Sequence, residues 1–349
     1  MFFASDNTGP VHPKIMDALS EANTGYAMPY GDDAMMDRVR DQIREVFEAP
    51  EAAVYLVSTG TASNSLILAT LAQPWETIFC SPVAHIHEDE CNAPEFFTGG
   101  SKLTLVTAPN AKIDADKLRR KIEAEENRGV HGPQRGPLSI TQVTERGTIY
   151  SVAEITALCS VAKSYNMPTH LDGARFANAM VTLGCTPAEM TWKAGVDAVS
   201  FGGTKNGCMG VEAVIFFDPK HAWEFELRRK RGAHLPSKNR YLAAQMSAYL
   251  SDDLWLDLAK ASNAATARLK AGLKKIENTS FLYEPEANII FAGWPRSAHA
   301  RLHDAGAQYH IIEGALEGDN PDEILTARLV CDWSMTEAKI DQFLDLARG

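Results

Sequence analysis

The chain has 349 residues, of which 45% are hydrophobic and 23% charged, the composition of an ordinary globular protein. Its formal net charge of −11 argues against a general binding surface for nucleic acid or for an anionic membrane, but it leaves room for a local basic pocket. No apolar run reaches the length of a membrane helix, the N-terminus lacks a secretory signal, and the six cysteines are scattered, so a cytoplasmic location is expected.

Strands and helices are predicted to alternate over the first two thirds of the chain. An extended arm is expected over residues 1–11, and Asp32 and Asp33 then precede apolar residues at helical spacing. Ser151 and Glu154 form a capping-box pattern at the start of a later helix. Short apolar runs predict buried strands at residues 53–57, 77–80, 103–106, 138–141, 169–172, 198–201 and 214–217. This alternation predicts a mainly parallel sheet covered on both faces.

The pattern changes near residue 238. Two long helical stretches follow, then short strands at residues 288–292 and 327–331 and a final helix. We therefore expect a large domain over residues 12–237 and a smaller C-terminal α+β domain over residues 238–349.

Lys205 stands among small residues, in Ser200-Phe201-Gly202-Gly203-Thr204-Lys205-Asn206-Gly207, at the end of a predicted strand. An isolated lysine in such a loop is usually exposed, and the Gly-Lys-Ser/Thr of a phosphate-binding loop is absent. The alternative is a lysine that forms a Schiff base, which needs space for a flat ring beside its backbone.

Asp172 ends another predicted strand, 33 residues before Lys205 and separated from it by one helix and one strand. It could cap the next helix, but side chains at the carboxyl ends of parallel strands meet at one edge of a sheet. Pyridoxal phosphate (PLP) chemistry needs this pair, an amine and a carboxylate that keeps the pyridine nitrogen protonated. Thr59-Gly60-Thr61, between a strand and a helix, supplies backbone N–H groups suited to the phosphate.

Seven short segments, spread over nearly the whole chain, carry a more specific pattern. They are Ser5-Asp6-Asn7, Gly31-Asp32-Asp33, Thr59-Gly60-Thr61, Ala84-His85, Asp172-Gly173-Ala174-Arg175, Thr204-Lys205 and Ala327-Arg328-Leu329-Val330. In order and spacing they resemble the L-threonine aldolases, most closely the bacterial low-specificity branch. The resemblance implies the aspartate-aminotransferase-like fold (PLP fold type I) and pyridoxal 5'-phosphate as cofactor. It also implies a homotetramer, a dimer of dimers with shared active sites.

The reaction implied by the resemblance is cleavage of L-threonine, L-allo-threonine and related β-hydroxy-α-amino acids to glycine and an aldehyde. Lys205 would hold the cofactor as a Schiff base, Asp172 would pair with the pyridine nitrogen, and Gly60 and Thr61 would hold the phosphate. Lys230 would reach the phosphate in the neighbouring subunit.

The resemblance also implies how the substrate is held. His85 would stack on the cofactor ring and take the β-hydroxyl proton, and His131 would orient that hydroxyl. Arg175 and Arg328 would bind the substrate carboxylate with help from Ser5, and Arg175 would also reach the phenolic oxygen of the cofactor.

Two segments depart from the family pattern. Commoner members carry Ser-Lys-Gly where this chain has Thr204-Lys205-Asn206, and the glycine-rich loop after the basic cluster is altered over residues 228–238.

Other interpretations remain open from the sequence. The same fold supports β-elimination, transamination and racemisation. A nucleotide-binding enzyme would need G-x-G-x-x-G, and a non-catalytic binding module would not need the full set of charged residues. The run His87-Glu88-Asp89-Glu90-Cys91 lacks the spacing of a closed metal site, so no metal is expected.

Overall fold

Two β-sheets organise the chain in the computed structural model, which describes residues 1–125 and 128–349. The strands are β1 Ala53–Val57, β2 Glu76–Cys80, β3 Lys102–Leu105, β4 Gln134–Thr141, β5 Thr169–Gly173, β6 Ala198–Gly202, β7 Glu212–Phe216, β8 Ser280–Phe281, β9 Ile289–Pro295, β10 His310–Glu313 and β11 Ile324–Val330. The helices are α1 Pro13–Ala22, α2 Ala34–Val46, α3 Gly60–Leu71, α4 His85–Glu88, α5 Ala93–Thr98, α6 Ala115–Glu125, α7 Val152–Ser164, α8 Phe176–Leu183, α9 Pro187–Met190, α10 Ala222–Arg231, α11 Arg240–Leu250, α12 Leu254–Leu273, α13 Arg296–Asp304 and α14 Glu337–Arg348.

The larger sheet has seven strands in the order β1-β7-β6-β5-β4-β2-β3. β3, β2, β4, β5 and β6 pair in parallel, whereas β7 runs antiparallel to both β6 and β1. β1 therefore has the same direction as the parallel strands, so six carboxyl ends meet at one edge of the sheet. The predicted alternation of strands and helices and the mainly parallel sheet are confirmed.

Alternate residues of β1 face different cores, which shows that both faces of the sheet are covered. Val54 and Leu56 pack in the larger core with α2 and α7, while Tyr55 and Val57 pack with α3 and α10 on the opposite face. Two helix starts follow the sequence pattern. Asp33 caps α2, and Ser151 forms the predicted capping box with Glu154.

The smaller sheet is antiparallel, in the order β10-β11-β9-β8, and packs with α12, α13 and α14. The first residues of the chain join this part of the molecule. The N–H of Phe3 donates to the carbonyl of Gln308, and the carbonyl of Phe3 accepts the N–H of Val330. The ring of Phe3 is buried. α11 and the start of α12 pack instead against the larger core through residues such as Met246 and Trp255. The domain boundary at residues 237/238 stays a prediction.

In the part of the chain that the structure describes, every helix is too short or too polar to cross a lipid bilayer.

Candidate active site

A cavity of about 290 Å³ lies at the edge of the larger sheet where the carboxyl ends of its parallel strands meet. Its walls come from the turns after β1, β4, β5 and β6, together with α3, α4 and the N-terminal segment. Open α/β sheets place ligands at this edge, and the volume is at the lower end of the roughly 300–1,000 Å³ typical of small-molecule pockets.

Asp172, near the end of β5, is buried in the cavity wall with both carboxylate oxygens hydrogen-bonded. Oδ1 accepts the N–H of Ala174 at 3.0 Å, and Oδ2 accepts the side-chain amide of Asn64 at 2.9 Å. These donors fix the orientation of the carboxylate and compensate for its burial.

Lys205 lines the same cavity, so the two residues on which the sequence interpretation depends are brought together. It lies in a one-turn 3₁₀ helix, Thr204–Asn206, directly after β6. Burial lowers the pKa of its ammonium group, and the neighbouring Arg175 adds to this effect. A lysine whose pKa is lowered has a larger neutral fraction, the form that attacks carbonyl groups.

The backbone around this lysine needs small residues and a fixed anchor. A Cβ added at Gly202 would lie 2.5 Å from the carbonyl oxygen of Ala174, so a side chain does not fit there. Asn206 donates to the hydroxyl of Tyr249 and to the carbonyl of Trp255, both at 2.8 Å. The asparagine that departs from the family pattern thus ties the lysine turn to the helical layer.

Glu212, at the start of β7, supports the lysine turn from the other side. Its Oε2 accepts the N–H of Gly203 at 3.0 Å, and the carboxyl lines the cavity. Burial raises its pKa to about 7.

The N-terminus of α3 forms a potential anion-binding site. Thr59 caps the helix by accepting the N–H of Ala62 at 3.2 Å, while the first N–H groups of any helix lack intrahelical partners. Gly60 and Thr61 line the cavity, and a Cβ at Gly60 would meet nothing within 4 Å. Open space in front of the positive end of a buried helix suits a phosphate group.

A chain of hydrogen bonds connects His85, which also lines the cavity, to Asp172. Nδ1 of His85 lies 2.8 Å from Oε1 of Glu90, and Asn64 donates its two amide hydrogens to Glu90 at 2.8 Å and to Asp172. The hydroxyl of Ser200 donates to Oδ1 of Asn64 at 2.7 Å. Because both donors of the Asn64 amide are directed at carboxyl oxygens, its orientation is fixed.

The hydrogen bond to Glu90 raises the pKa of His85. Substituting Glu90 with glutamine removes the negative charge but keeps a carbonyl acceptor for Nδ1. We expect the pKa of His85 to fall, so that the ring loses its proton at lower pH than in the wild type. An NMR titration of the His85 ring measures this. Glu88→Gln, a change of the same type at an exposed position nearby, should leave the titration unaltered, and an unchanged His85 curve in Glu90→Gln contradicts the coupling.

Two arginines lie on the side of the site that faces the smaller sheet. Arg175 forms a two-point ion pair with Asp6, with Nε 2.7 Å and Nη2 2.9 Å from the carboxylate oxygens. Asp6 also accepts the amide of Asn288 at 3.0 Å. Burial raises the pKa of Asp6, but the charges of Arg175 and Lys205 and the hydrogen bonds from Arg175 and Asn288 together hold the pKa below its usual value. Arg328, half-buried on β11, donates from Nη1 to the carbonyl of Ala4 at 3.2 Å.

The comparisons with known proteins agree with this geometry. The sequence profile of the beta-eliminating lyases matches residues 3–292. A low specificity L-threonine aldolase of Pseudomonas aeruginosa is 38% identical over 99% of this chain and 96% of its own length, and one from a Pseudomonas species is 37% identical over 97% and 94%.

The chain belongs to the threonine aldolases of the beta-eliminating lyase family.

Solved structures show the same relationship. A threonine aldolase from Leishmania major superimposes with a TM-score of 0.91 at 25% identity, covering 99% of this chain and 98% of its own. A serine palmitoyltransferase from Sphingomonas wittichii, at 15% identity, shares the fold with a TM-score of 0.72 over 100% of this chain and 86% of its own. The fold is therefore PLP fold type I, as predicted, and the resemblance to the threonine aldolases is confirmed.

Four residues to which the threonine aldolase resemblance assigns a role lie away from the cavity lining in this protomer, namely Arg328, whose position is given above, His131, Lys230 and Ser5. His131 is exposed in a turn before β4, at the opposite end of that strand from Thr141, which lines the cavity. Lys230 is exposed on α10 with its Nζ 4.6 Å from the centre of the Tyr30 ring. Ser5 caps the turn of residues 6–8 by accepting the N–H of Asn7. Their assigned roles stay predictions.

Several acidic and amide side chains of the site carry no local motif that would mark them in the sequence. Only Glu90 has a spacing that could have pointed to it, five residues after His85. They are Asn64, Glu90, Glu145 and Glu212.

The residues present fit pyridoxal phosphate. The site combines an open helix N-terminus at Gly60, a lysine with a lowered pKa and a fully hydrogen-bonded carboxylate at Asp172 in one cavity. These are the three groups that a phosphate, an aldehyde and a pyridine nitrogen require. Family membership and the structural neighbours likewise imply this cofactor for the chain.

Proposed function

We propose that this protein cleaves L-threonine, L-allo-threonine and related β-hydroxy-α-amino acids to glycine and an aldehyde, with pyridoxal 5'-phosphate as cofactor. The observation that carries the proposal is the meeting of Lys205, Asp172 and His85 in one cavity, in a chain of the threonine aldolase family. When bound, the cofactor supplies the electron sink that accepts the electron pair of the broken Cα–Cβ bond.

Lys205 would hold the cofactor covalently, and the lowered pKa of its amine would favour that attachment. Asp172 provides a fixed negative charge for the pyridine nitrogen, and the hydrogen bonds from Asn64 and Ala174 keep the carboxylate in place without protonating it. Gly60 and Thr61 would hold the phosphate at the N-terminus of α3.

His85 takes the proton of the β-hydroxyl group, directly or through a water molecule. If Glu90 is ionised it can only accept, so Nδ1 of His85 carries the hydrogen and Nε2 keeps the lone pair that a base needs. Removing such a base typically costs on the order of 10²–10⁴-fold in rate.

Arg328 binds the substrate carboxylate. Two nitrogens of Arg175 are engaged by Asp6, so Arg175 supports the site mainly through its remaining nitrogen and its charge. A fixed grip on the carboxylate would set the orientation of the bonds at Cα, and so select which of them breaks.

For Arg328→Ala we expect mainly a raised KM for L-threonine, on the order of 10- to 100-fold, because a charge-assisted hydrogen bond to the carboxylate is lost. Steady-state kinetics of glycine release measure the change. Arg328→Lys keeps the charge, so its KM for L-threonine should lie between those of the wild type and of Arg328→Ala. An unchanged KM in Arg328→Ala would contradict the role of Arg328 in binding the carboxylate.

The reaction itself is tested by incubating the cofactor-loaded protein with L-threonine, L-allo-threonine and phenylserine and measuring glycine and aldehyde. Only Cα–Cβ cleavage releases both products. Ammonia with a keto acid would indicate β-elimination, and a changed stereochemistry at Cα would indicate racemisation.

We further propose a cytoplasmic homotetramer whose active sites are shared between subunits, organised within each subunit as the arm and two domains set out above. The exposed positions of Lys230 and His131 leave both free to approach a neighbouring subunit, which supports this arrangement. Light scattering of the purified protein measures the oligomeric state, and a monomeric, fully active protein would contradict shared sites.

A further inference from the structure

A buried histidine lies behind the site and has no part in the mechanism above. His170 is on β5, two residues before Asp172, so the two side chains leave the same face of the sheet. Its ring is fully buried, and each ring nitrogen lies within hydrogen-bond distance of a hydroxyl group. Nδ1 is 3.0 Å from Ser139 on β4, and Nε2 is 3.1 Å from Ser200 on β6. These contacts fix the position of the ring.

The ring of His170 is neutral near pH 7. Burial lowers its pKa to about 4, although the negative charge of Asp172 acts against this. A neutral imidazole has one N–H donor and one acceptor nitrogen. One of the two neighbouring hydroxyl groups must therefore donate to the ring, and the other must accept from it.

The amide of Asn64 decides which nitrogen of His170 carries the hydrogen. Both amide hydrogens are directed at carboxyl oxygens, one of them Oδ2 of Asp172, so Oδ1 of Asn64 can only accept. It accepts the hydroxyl hydrogen of Ser200 at 2.7 Å. Because Ser200 has given its only hydrogen to Asn64, it must accept from Nε2 of His170, which therefore carries the ring hydrogen.

The remaining hydrogen bonds run in the same direction. Nδ1 of His170 accepts the hydroxyl hydrogen of Ser139, and Ser63 on α3 donates to the oxygen of Ser200 at 2.8 Å. Each donor thus points toward Asn64 and, through its amide, toward the carboxylate beyond it. Hydrogen bonds in series polarise one another, and donors to a carboxylate favour its charged form.

We propose that His170 is a positioning residue that keeps the carboxylate of Asp172 ionised and oriented for the pyridine nitrogen of the cofactor. It acts through the hydroxyl of Ser200 and the amide of Asn64. If this chain is broken, Asn64 loses the donor that polarises it, and Asp172 binds a proton more readily. The proton between Asp172 and the pyridine nitrogen then moves toward Asp172, which weakens the electron sink. The inference rests on the proposed function, because it needs the cofactor in this cavity.

The state of the His170 ring is tested in the wild-type holoenzyme. ¹⁵N NMR of histidine-labelled protein should show a neutral ring that carries its hydrogen on Nε2 and does not titrate between about pH 6 and 9. Loss of this signal in His170→Gln assigns it. A hydrogen on Nδ1 of a neutral ring would overturn the inference, because Ser200 would then have to donate to His170 instead of Asn64.

Two substitutions of His170 separate the hydrogen bond from the volume of the ring. His170→Gln can place an amide N–H close to the position of Nε2, whereas His170→Leu fills the space without a donor. We expect His170→Leu to lower kcat for L-threonine on the order of 10-fold. KM should change little, because Arg328 is untouched. His170→Gln should stay close to the wild type, and so should His310→Leu, a control at an exposed histidine on β10.

The pyridine nitrogen gives a readout that does not depend on turnover. With ¹⁵N-labelled cofactor, the wild type and His170→Gln should show the NMR shift of a protonated ring nitrogen. In His170→Leu the shift should move toward that of a neutral pyridine. Ser200→Ala breaks the chain one residue closer to Asp172 and should produce the same movement. Combining His170→Leu with Ser200→Ala should add little to either change, because both interrupt one chain.

Three results would each overturn the positioning role: a pyridine signal that stays in place in both His170→Leu and Ser200→Ala, a His170→Gln variant as slow as His170→Leu, or additive effects in the combined variant. If His170→Leu does not fold, the ring hydrogen in the wild type and the pyridine signal in Ser200→Ala decide the question. A wild-type holoenzyme that binds the cofactor but releases no glycine from L-threonine would overturn the proposed reaction alone, since both NMR measurements still judge this inference.

Discussion

Substituting Lys205 with alanine should abolish glycine release from L-threonine and remove the visible absorption of the covalently held cofactor. The physical reason is that Lys205 is the amine with a lowered pKa in the cavity wall, and alanine leaves no nitrogen to form the covalent bond. Product analysis and an absorption spectrum of the purified protein measure both effects.

Borohydride treatment gives an independent assay of the same residue. Reduction of the wild type should fix the cofactor to the peptide that contains Lys205, and mass spectrometry identifies that peptide. Lys193→Ala, which removes a surface lysine paired with Glu48, should behave as wild type in all three measurements. Turnover by Lys205→Ala, or label on another peptide, would refute the assignment.

Asp172→Asn should lower the rate of L-threonine cleavage on the order of 10²–10³-fold, with the protein still folded. Asparagine has the shape of aspartate and can still accept a hydrogen bond from Asn64, but it carries no charge to keep the pyridine nitrogen protonated. The rate is measured at saturating cofactor, so that weaker cofactor binding does not contribute.

Asp197, just before β6, provides a matched control at the opposite edge of the sheet. Its carboxylate accepts the N–H of Thr169 at 2.7 Å, and an asparagine amide can keep that bond. Asp197→Asn should therefore leave the rate of cleavage near that of the wild type. Full activity in Asp172→Asn would show that this carboxylate does not serve the cofactor.

The sequence was most informative where a strand ends in a turn. Lys205 and Asp172 each follow an apolar run, and parallel strands bring their carboxyl ends to one edge regardless of the loops between them. The strand–helix order and the glycine-rich turns therefore predicted the fold class and the centre of the cavity together. The sequence has no pattern that predicts the antiparallel direction of β7, because a buried antiparallel strand is as apolar as a parallel one.

The rest of the site depends on contacts between distant segments. Glu145 accepts the backbone N–H of His85 from 60 residues away, and Asp6 lies 169 residues from Arg175, so no local spacing relates them. The sequence does not distinguish a buried glutamate from an exposed one, and only the folded structure shows that Oε2 of Glu145 is shielded from solvent. The altered turn Thr204-Lys205-Asn206 is explained in the same way, by the bonds of Asn206 to Tyr249 and Trp255.

The pairing of the first residues with the last strand has a consequence for biosynthesis. Asp6 leaves the ribosome early, yet its partner Asn288 is 282 residues away, and Phe3 finds Val330 later still. Phe3 and Ala4 therefore lack their partners on β11 until translation is almost complete, although Asp6 can meet Arg175 earlier. A nascent chain halted before β11 would already contain Lys205, Asp172 and the Arg175–Asp6 pair, but it would lack Arg328 and its bond to Ala4.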